Sequence, residues 1–197
     1  MLWFFDYRKV EKLTKLFVEA YENRSFYTSI VVEPCLRASP DREIWICFTG
    51  FLQLTISLNH AWGVHNILPK KGKVYLVNGP LSIAGFTPQE SIESMERLGR
   101  VVAEIIDQNP GYAINVFSIS AGTYPGFYFA NKFGASRLVA IAPGPRMGQG
   151  IYTSILSQEL KRRCQEAGFA TWQDYDRVIS PYNQENNVAN LPDGREL

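Results

Sequence analysis

Two kinds of apolar pattern alternate along this chain. The first recurs every three or four residues, the period of a helix with one buried face. Val10, Leu13, Leu16, Phe17, Ala20 and Tyr21 have this period and predict a helix over residues 7–24. Ile92, Met95, Leu98, Val101, Val102, Ile105 and Ile106 predict another. Its start is marked by Thr87 as cap, Pro88 in the first turn and Glu90 completing a capping box. Asn109-Pro110-Gly111 stops it. The second pattern is the short unbroken apolar run, which suits a strand buried on both faces. Ile44 to Phe48, Val74 to Val77, Ala113 to Phe117 and Leu138 to Ala142 are of this kind. Thr28 to Glu33 is β-branched and strand-like and is expected to stop at Pro34. An aromatic-rich helix is expected after Gly122 as far as Phe133, and another from about Tyr152 to Ala167.

Strands alternating with helices predict an α/β fold: a doubly wound, mostly parallel sheet with helices on both faces. All 197 residues are read as one domain, with about 145–180 forming a cap or helical excursion. Ligands in such sheets bind at the C-terminal ends of the strands. Three of those ends stand out: Thr49-Gly50-Phe51, Asn78-Gly79-Pro80 and Ser118-Ile119-Ser120-Ala121-Gly122.

The last of these carries chemistry. A serine hydroxyl is a weak nucleophile that needs an exposed position, a base and donors for the oxyanion. A strand–serine–helix turn supplies the exposure, and it is so tight that the residues two before and two after the serine must be small. Ser118 and Gly122 meet that condition around Ser120. The donors would be backbone N–H groups of Ala121 and of Phe51, whose preceding Gly50 lets the backbone approach a ligand. Tyr124 and Asn78 lie where a pocket edge would be. Other readings of the same residues stand beside this one. The serine-rich turn could only cap a helix or cradle an anion. Ser118 is a rival nucleophile, and the Gly50 loop could be a plain turn.

The order strand–Thr-Gly-Phe, strand–Asn-Gly-Pro, capped helix, strand–Ser-x-Ser-x-Gly–helix, strand–Ala-Pro-Gly resembles the α/β-hydrolase superfamily over roughly residues 40–145. Thr49 stands where that family usually has histidine, and Asn78 where it often has aspartate. The resemblance implies a triad in the chain order serine, acid, histidine. Both histidines, His60 and His65, precede Ser120. The acids after it, among them Glu159, Glu166, Asp174, Asp176, Glu185 and Asp193, have no histidine to orient. The expectation is a C-terminally incomplete member of this superfamily, acting on an acyl ester or thioester, with acid and base beyond Leu197. The alternative is a catalytically silent domain of the same fold used for binding or assembly. His60 is read as a loop residue or, less simply, as a base or ligand contact.

Composition narrows the partners. Twenty Lys+Arg against 19 Asp+Glu give a net charge of +1 with no long block of one sign, so no nucleic-acid partner is expected. No stretch approaches the roughly 18 apolar residues of a membrane helix. The short cluster Leu2 to Phe5 is not a secretory signal, and the expected location is the cytoplasm. Cys35, Cys47 and Cys164 are odd in number and widely spaced, which predicts reduced, mostly buried thiols rather than a disulfide or zinc framework. No cofactor or metal is expected. The expected partner is a small-molecule acyl substrate. The strand over residues 138–142 carries no lysine or proline to blunt pairing, so its edge is expected to pair with a second chain, to be covered by the segment 152–179, or to aggregate.

Overall fold

The structure is a computed structural model that describes residues 31–35, 42–48, 72–78, 87–144, 146–154 and 158–188. Its sheet is built from β1 (Val31–Cys35), β2 (Glu43–Phe48), β3 (Lys73–Asn78), β4 (Ala113–Ile119) and β5 (Arg137–Ile141) in the order β1-β3-β2-β4-β5. β3, β2, β4 and β5 run parallel, and β1 pairs antiparallel with β3. β1 runs through Pro34, where the sequence suggested a stop. Pro34 registers against Tyr75 on a strand at the end of the sheet order, the position in a sheet where proline is tolerated. The other four strands match their apolar runs to within a residue or two.

The continuous apolar runs are explained by burial on both faces. Ile44, Ile46, Phe48, Tyr75, Val77, Val116 and Leu138 belong to one core cluster. Trp45, Cys47, Val74, Leu76 and Ile119 form a second, with Phe117 and Ile141 packed against it. Helices join the first cluster, among them α1 (Pro88–Asp107), which leads into β4, and α2 (Thr123–Lys132), which leads into β5. α1 begins at the capping box expected from the sequence. Thr87 accepts from the Glu90 N–H at 3.3 Å, and the Glu90 carboxylate accepts from the Thr87 N–H at 2.8 Å. The buried stripe of α1 is turned slightly from the apolar one. Ser91 and Ser94 are buried, whereas Ile92, Val101 and Ile106 are only partly so. The reason is a neighbour: the Ser91 hydroxyl meets the Tyr175 hydroxyl at 2.7 Å where a later helix docks.

That later region differs most from expectation. In place of one helix over residues 152–167 there are α3 (Met147–Thr153) and α4 (Gln158–Glu166), with Ser154 in extended backbone ending the first. α5 (Trp172–Ile179) starts at a second capping box, Thr171 with Asp174. A 3-10 turn, Ser180–Tyr182, leads to the single-turn α6 (Glu185–Val188). Cys47 and Cys164 are buried thiols, and burial pushes the Cys164 thiol up to about 12. No helix among the described residues is long and apolar enough to cross a membrane.

Candidate functional site

The parallel register brings the C-terminal ends of four strands together. Phe48 of β2 lies opposite Val77 of β3 and Ser118 of β4, and Ile119 of β4 lies opposite Ile141 of β5. β4 sits between β2 and β5, so the chain leaving Ile119 emerges between two neighbouring strand ends. The next residue, Ser120, is exposed and has φ of +52°. For a residue with a Cβ this left-handed conformation costs roughly 1–2 kcal/mol. It belongs to a 3-10 turn, Ser120–Gly122, that runs directly into α2. The small flanking residues do what the sequence required of them. Gly122 and Ser118 are buried, and Ser118 points its hydroxyl at the Val139 carbonyl, 3.4 Å away on β5. α2 then presses onto β4 so closely that a Cβ on Gly126 would lie 2.5 Å from Ser118 Oγ. Ser118 is therefore packed between strand and helix, and Ser120 is the exposed serine of the pair.

The turn is held from below. The Thr123 backbone N–H donates to the carbonyls of Ser120 and Ala121, and the Thr123 hydroxyl also donates to the Ser120 carbonyl. Thr123 Oγ1 in turn accepts from Nε2 of Gln184, 61 positions later in the chain. Gln184 belongs to a segment that reads in sequence as a polar tail yet is buried. Asn183, Gln184 and Asn187 are 2%, 4% and 4% exposed. Asn183 Oδ1 accepts from the Met147 N–H at 3.1 Å, and Asn187 Oδ1 accepts from Asn131 Nδ2 at 3.4 Å. Asp176 completes this seam by accepting from the Gly148 N–H at 2.7 Å. Burial pushes the Asp176 carboxyl above its usual range, against the opposing pull of the Gly148, Asn183 and Gln149 hydrogen bonds and of Arg146. None of these four side chains was singled out by the sequence as part of a site. The signals available were the i, i+3, i+4 spacing of Asn183-Asn186-Asn187 and the Thr171-x-x-Asp174 box.

The other expected site residues are distributed around this turn. Ala121 is the second residue of the turn and is partly buried. Tyr124 is buried, one helical turn after Ser120. Its hydroxyl is 3.2 Å from where a Cβ on Gly144 would be and 3.6 Å from one on Gly150, so it abuts the loop after β5. Burial, with the Asp176 carboxylate adding to it, raises the Tyr124 phenol well above its ordinary range. Asn78 is the last residue of β3 and pairs with Val31. Phe51, His60, His65 and Asp193 lie outside the described residues, as does the helix expected over 7–24.

The elements thus run as an antiparallel strand at one end, four parallel strands, a capped helix into the interior strand β4, and a left-handed serine at its end. The fold is α/β-hydrolase-like. No protein-family model and no curated protein matches the chain. Several solved structures are similar to it. One is MGS-M2, an α/β hydrolase enzyme from a Medee basin deep-sea metagenome library, with 15% identity and a TM-score of 0.43 over 80% of this chain and 69% of that one. Another is the bottromycin epimerase BotH in complex with bottromycin A2, at 11% and 0.43 over 83% and 72%. A third is MenH from S. aureus, at 11% and 0.43 over 82% and 72%.

Proposed function

We propose that the chain is the core of a serine hydrolase or acyltransferase-like protein acting on an acyl ester or thioester. Ser120 Oγ attacks the acyl carbon as its proton passes to a base. The oxyanion that forms is held by the N–H groups of Ala121 and Phe51, and its collapse expels the alcohol or thiol, which takes up the proton. Water or a second nucleophile then releases the acyl group. The observation that carries this reading is the φ of +52° at an exposed serine set between an interior parallel strand and a helix. Strained non-glycine backbone persists where its surroundings hold it, and it clusters at functional sites. Because no histidine comes after Ser120, the reading takes acid and base from beyond Leu197.

A fluorophosphonate probe tests it. The 197-residue chain should label slowly, a form extended beyond Leu197 should label rapidly, and Ser120→Ala should abolish labelling in both. The same missing histidine favours a second reading, a catalytically silent domain of this fold that binds or assembles. Failure of the extended form to label at Ser120 would decide for that reading. Rapid labelling of the 197-residue chain would instead assign the base to a residue inside it, such as His60 or His65.

A further inference from the structure

We propose that Thr123 and Gln184 are positioning residues that aim the Ala121 N–H outward by clamping the Ser120–Ala121 peptide from beneath; the inference rests on the reading of Ser120 as nucleophile. The Ser120 carbonyl and the Ala121 N–H belong to one peptide unit. In a planar trans peptide these two groups point in opposite directions. Fixing the carbonyl therefore fixes the amide. The carbonyl accepts from both the backbone N–H and the hydroxyl of Thr123, which turns it into the body of the protein. The Ala121 N–H then faces away from the body, on the side where Ser120 is exposed. The first amides of a helical turn have no partner within it, so this N–H is available to a ligand.

Gln184 gives the clamp its direction. A threonine hydroxyl has one hydrogen and can rotate to suit its neighbours. Gln184 Nε2 donates to Thr123 Oγ1, so the threonine must accept there and direct its own hydrogen to Ser120. Thr123 is fully buried and Gln184 nearly so, which removes water as a competing partner. The relay runs one way, from glutamine N–H to threonine oxygen and from threonine hydrogen to the Ser120 carbonyl.

The chain offers a direct readout. Ser120-Ala121 is its single Ser-Ala dipeptide, so carbonyl-13C serine with 15N-alanine gives one cross-peak in a carbonyl-correlated amide spectrum, from this peptide alone. Thr123→Val should move the Ser120 carbonyl upfield by removing a donor, and Thr123→Ser should restore it. Gln184→Glu replaces a donor by an acceptor, so the threonine hydrogen should turn to it and reproduce the Thr123→Val shift. Gln184→Met, which removes the donor without adding an acceptor, should move the peak less. In parallel, the rate of fluorophosphonate labelling should fall about tenfold or more in Thr123→Val and Gln184→Glu and recover in Thr123→Ser. Complete loss of an oxyanion donor typically costs about 10²–10³. A cross-peak that stays in place in both Thr123→Val and Gln184→Glu overturns the clamp. A peak that moves while labelling is unchanged overturns its positioning role. Should the wild-type protein never label in any form, the hydrolase reading falls, and the spectrum still decides whether the clamp exists. If Thr123→Val and Gln184→Glu do not fold, Gln184→Met carries the test, and a cross-peak that stays in place in it overturns the clamp.

Discussion

Replacing Ser120 by glycine should make this protein more stable, and replacing it by alanine should not. At φ of +52° the serine Cβ is crowded against backbone, a cost of roughly 1–2 kcal/mol that glycine escapes. The Ser120 side chain is exposed, so little packing is lost with it. Glycine also frees the unfolded chain, which returns about 0.4–1 kcal/mol of the gain. The net expectation for Ser120→Gly is a stabilisation centred on about 0.8 kcal/mol, from the midpoints of the two ranges. Ser120→Ala keeps the Cβ and the strain, and should stay within about 0.5 kcal/mol of wild type, as exposed substitutions do. For a chain of this size, about 1 kcal/mol corresponds to a rise in Tm of roughly 2–4 °C. Urea unfolding of the three proteins with matched m-values supplies the comparison, since equal slopes license reading midpoints as stability. Ala142, also exposed and also at +52°, is an internal control: Ala142→Gly should move in the same direction. If Ser120→Gly is less stable than Ser120→Ala, the serine is not strained, and the main support for its assignment as nucleophile is gone.

Contacts elsewhere lead to three further outcomes. Gly126→Ala puts a Cβ 2.5 Å from Ser118 Oγ and 2.6 Å from its Cβ. Overpacking of this kind costs about 1–3 kcal/mol, more than the roughly 1 kcal/mol that alanine adds in helix propensity, so urea unfolding should show a net loss that Ser118→Gly in the same chain partly recovers. Asp176 has a carboxyl raised in the folded state, so its acid form contributes stability that is complete below the unfolded value near pH ~4 and is lost as pH rises through the folded one. Wild type should therefore lose stability relative to Asp176→Asn between pH ~4 and neutrality, and parallel stability–pH curves for the two would refute the burial argument. β5 is hydrogen-bonded only to β4 among the described residues, and Val139 on it is 40% exposed. We expect this edge to pair with a second chain, and Val139→Lys should lower concentration-dependent association in sedimentation velocity without shifting the thermal midpoint by more than a degree or so.

How much the sequence disclosed depended on whether burial was apolar or polar. Ile44 to Phe48 and Val74 to Val77 are strands because both sides of each are covered, and an unbroken apolar run has no other economical explanation in a chain this polar overall. The Thr87 and Glu90 pair marks the start of α1 because capping is local, made within four residues. The serine turn was legible for the same reason: Ser118, Ser120 and Gly122 carry a steric demand that is met within five residues. Asn187 donates to the Asn183 carbonyl nearby, whereas Asn183 accepts from the Met147 N–H and Gln184 donates to the Thr123 hydroxyl across tens of positions. Nothing in hydrophobic periodicity records such a network, and a stretch rich in Asn and Pro read as a tail. The split between α3 and α4 was hidden similarly, because the start of α3 is fixed by the Met147 and Gly148 N–H groups donating to Asn183 and Asp176, which the apolar positions Met147 and Ile151 on the same helix do not record.

The two left-handed residues bear on how such a site is held. Ser120 and Ala142 each come directly after a parallel strand, and those strands, β4 and β5, are neighbours in register. Neither is a glycine, so each conformation must be sustained by its surroundings. For Ser120 those surroundings are Thr123 and, through it, Gln184. For the loop after Ala142 they include the Tyr124 hydroxyl against Gly144 and the seating of α3 on Asp176 and Asn183. Asn183 and Gln184 are consecutive, one reaching α3 and the other the serine turn. A shift of that short segment would therefore disturb both strand ends together. Leaving a buried donor or acceptor unmatched costs about 1–3 kcal/mol each, which is comparable to the strain being held. The pentad around Ser120 thus specifies a turn that could exist, and the segment some sixty residues later supplies what keeps it in the conformation that exposes the serine.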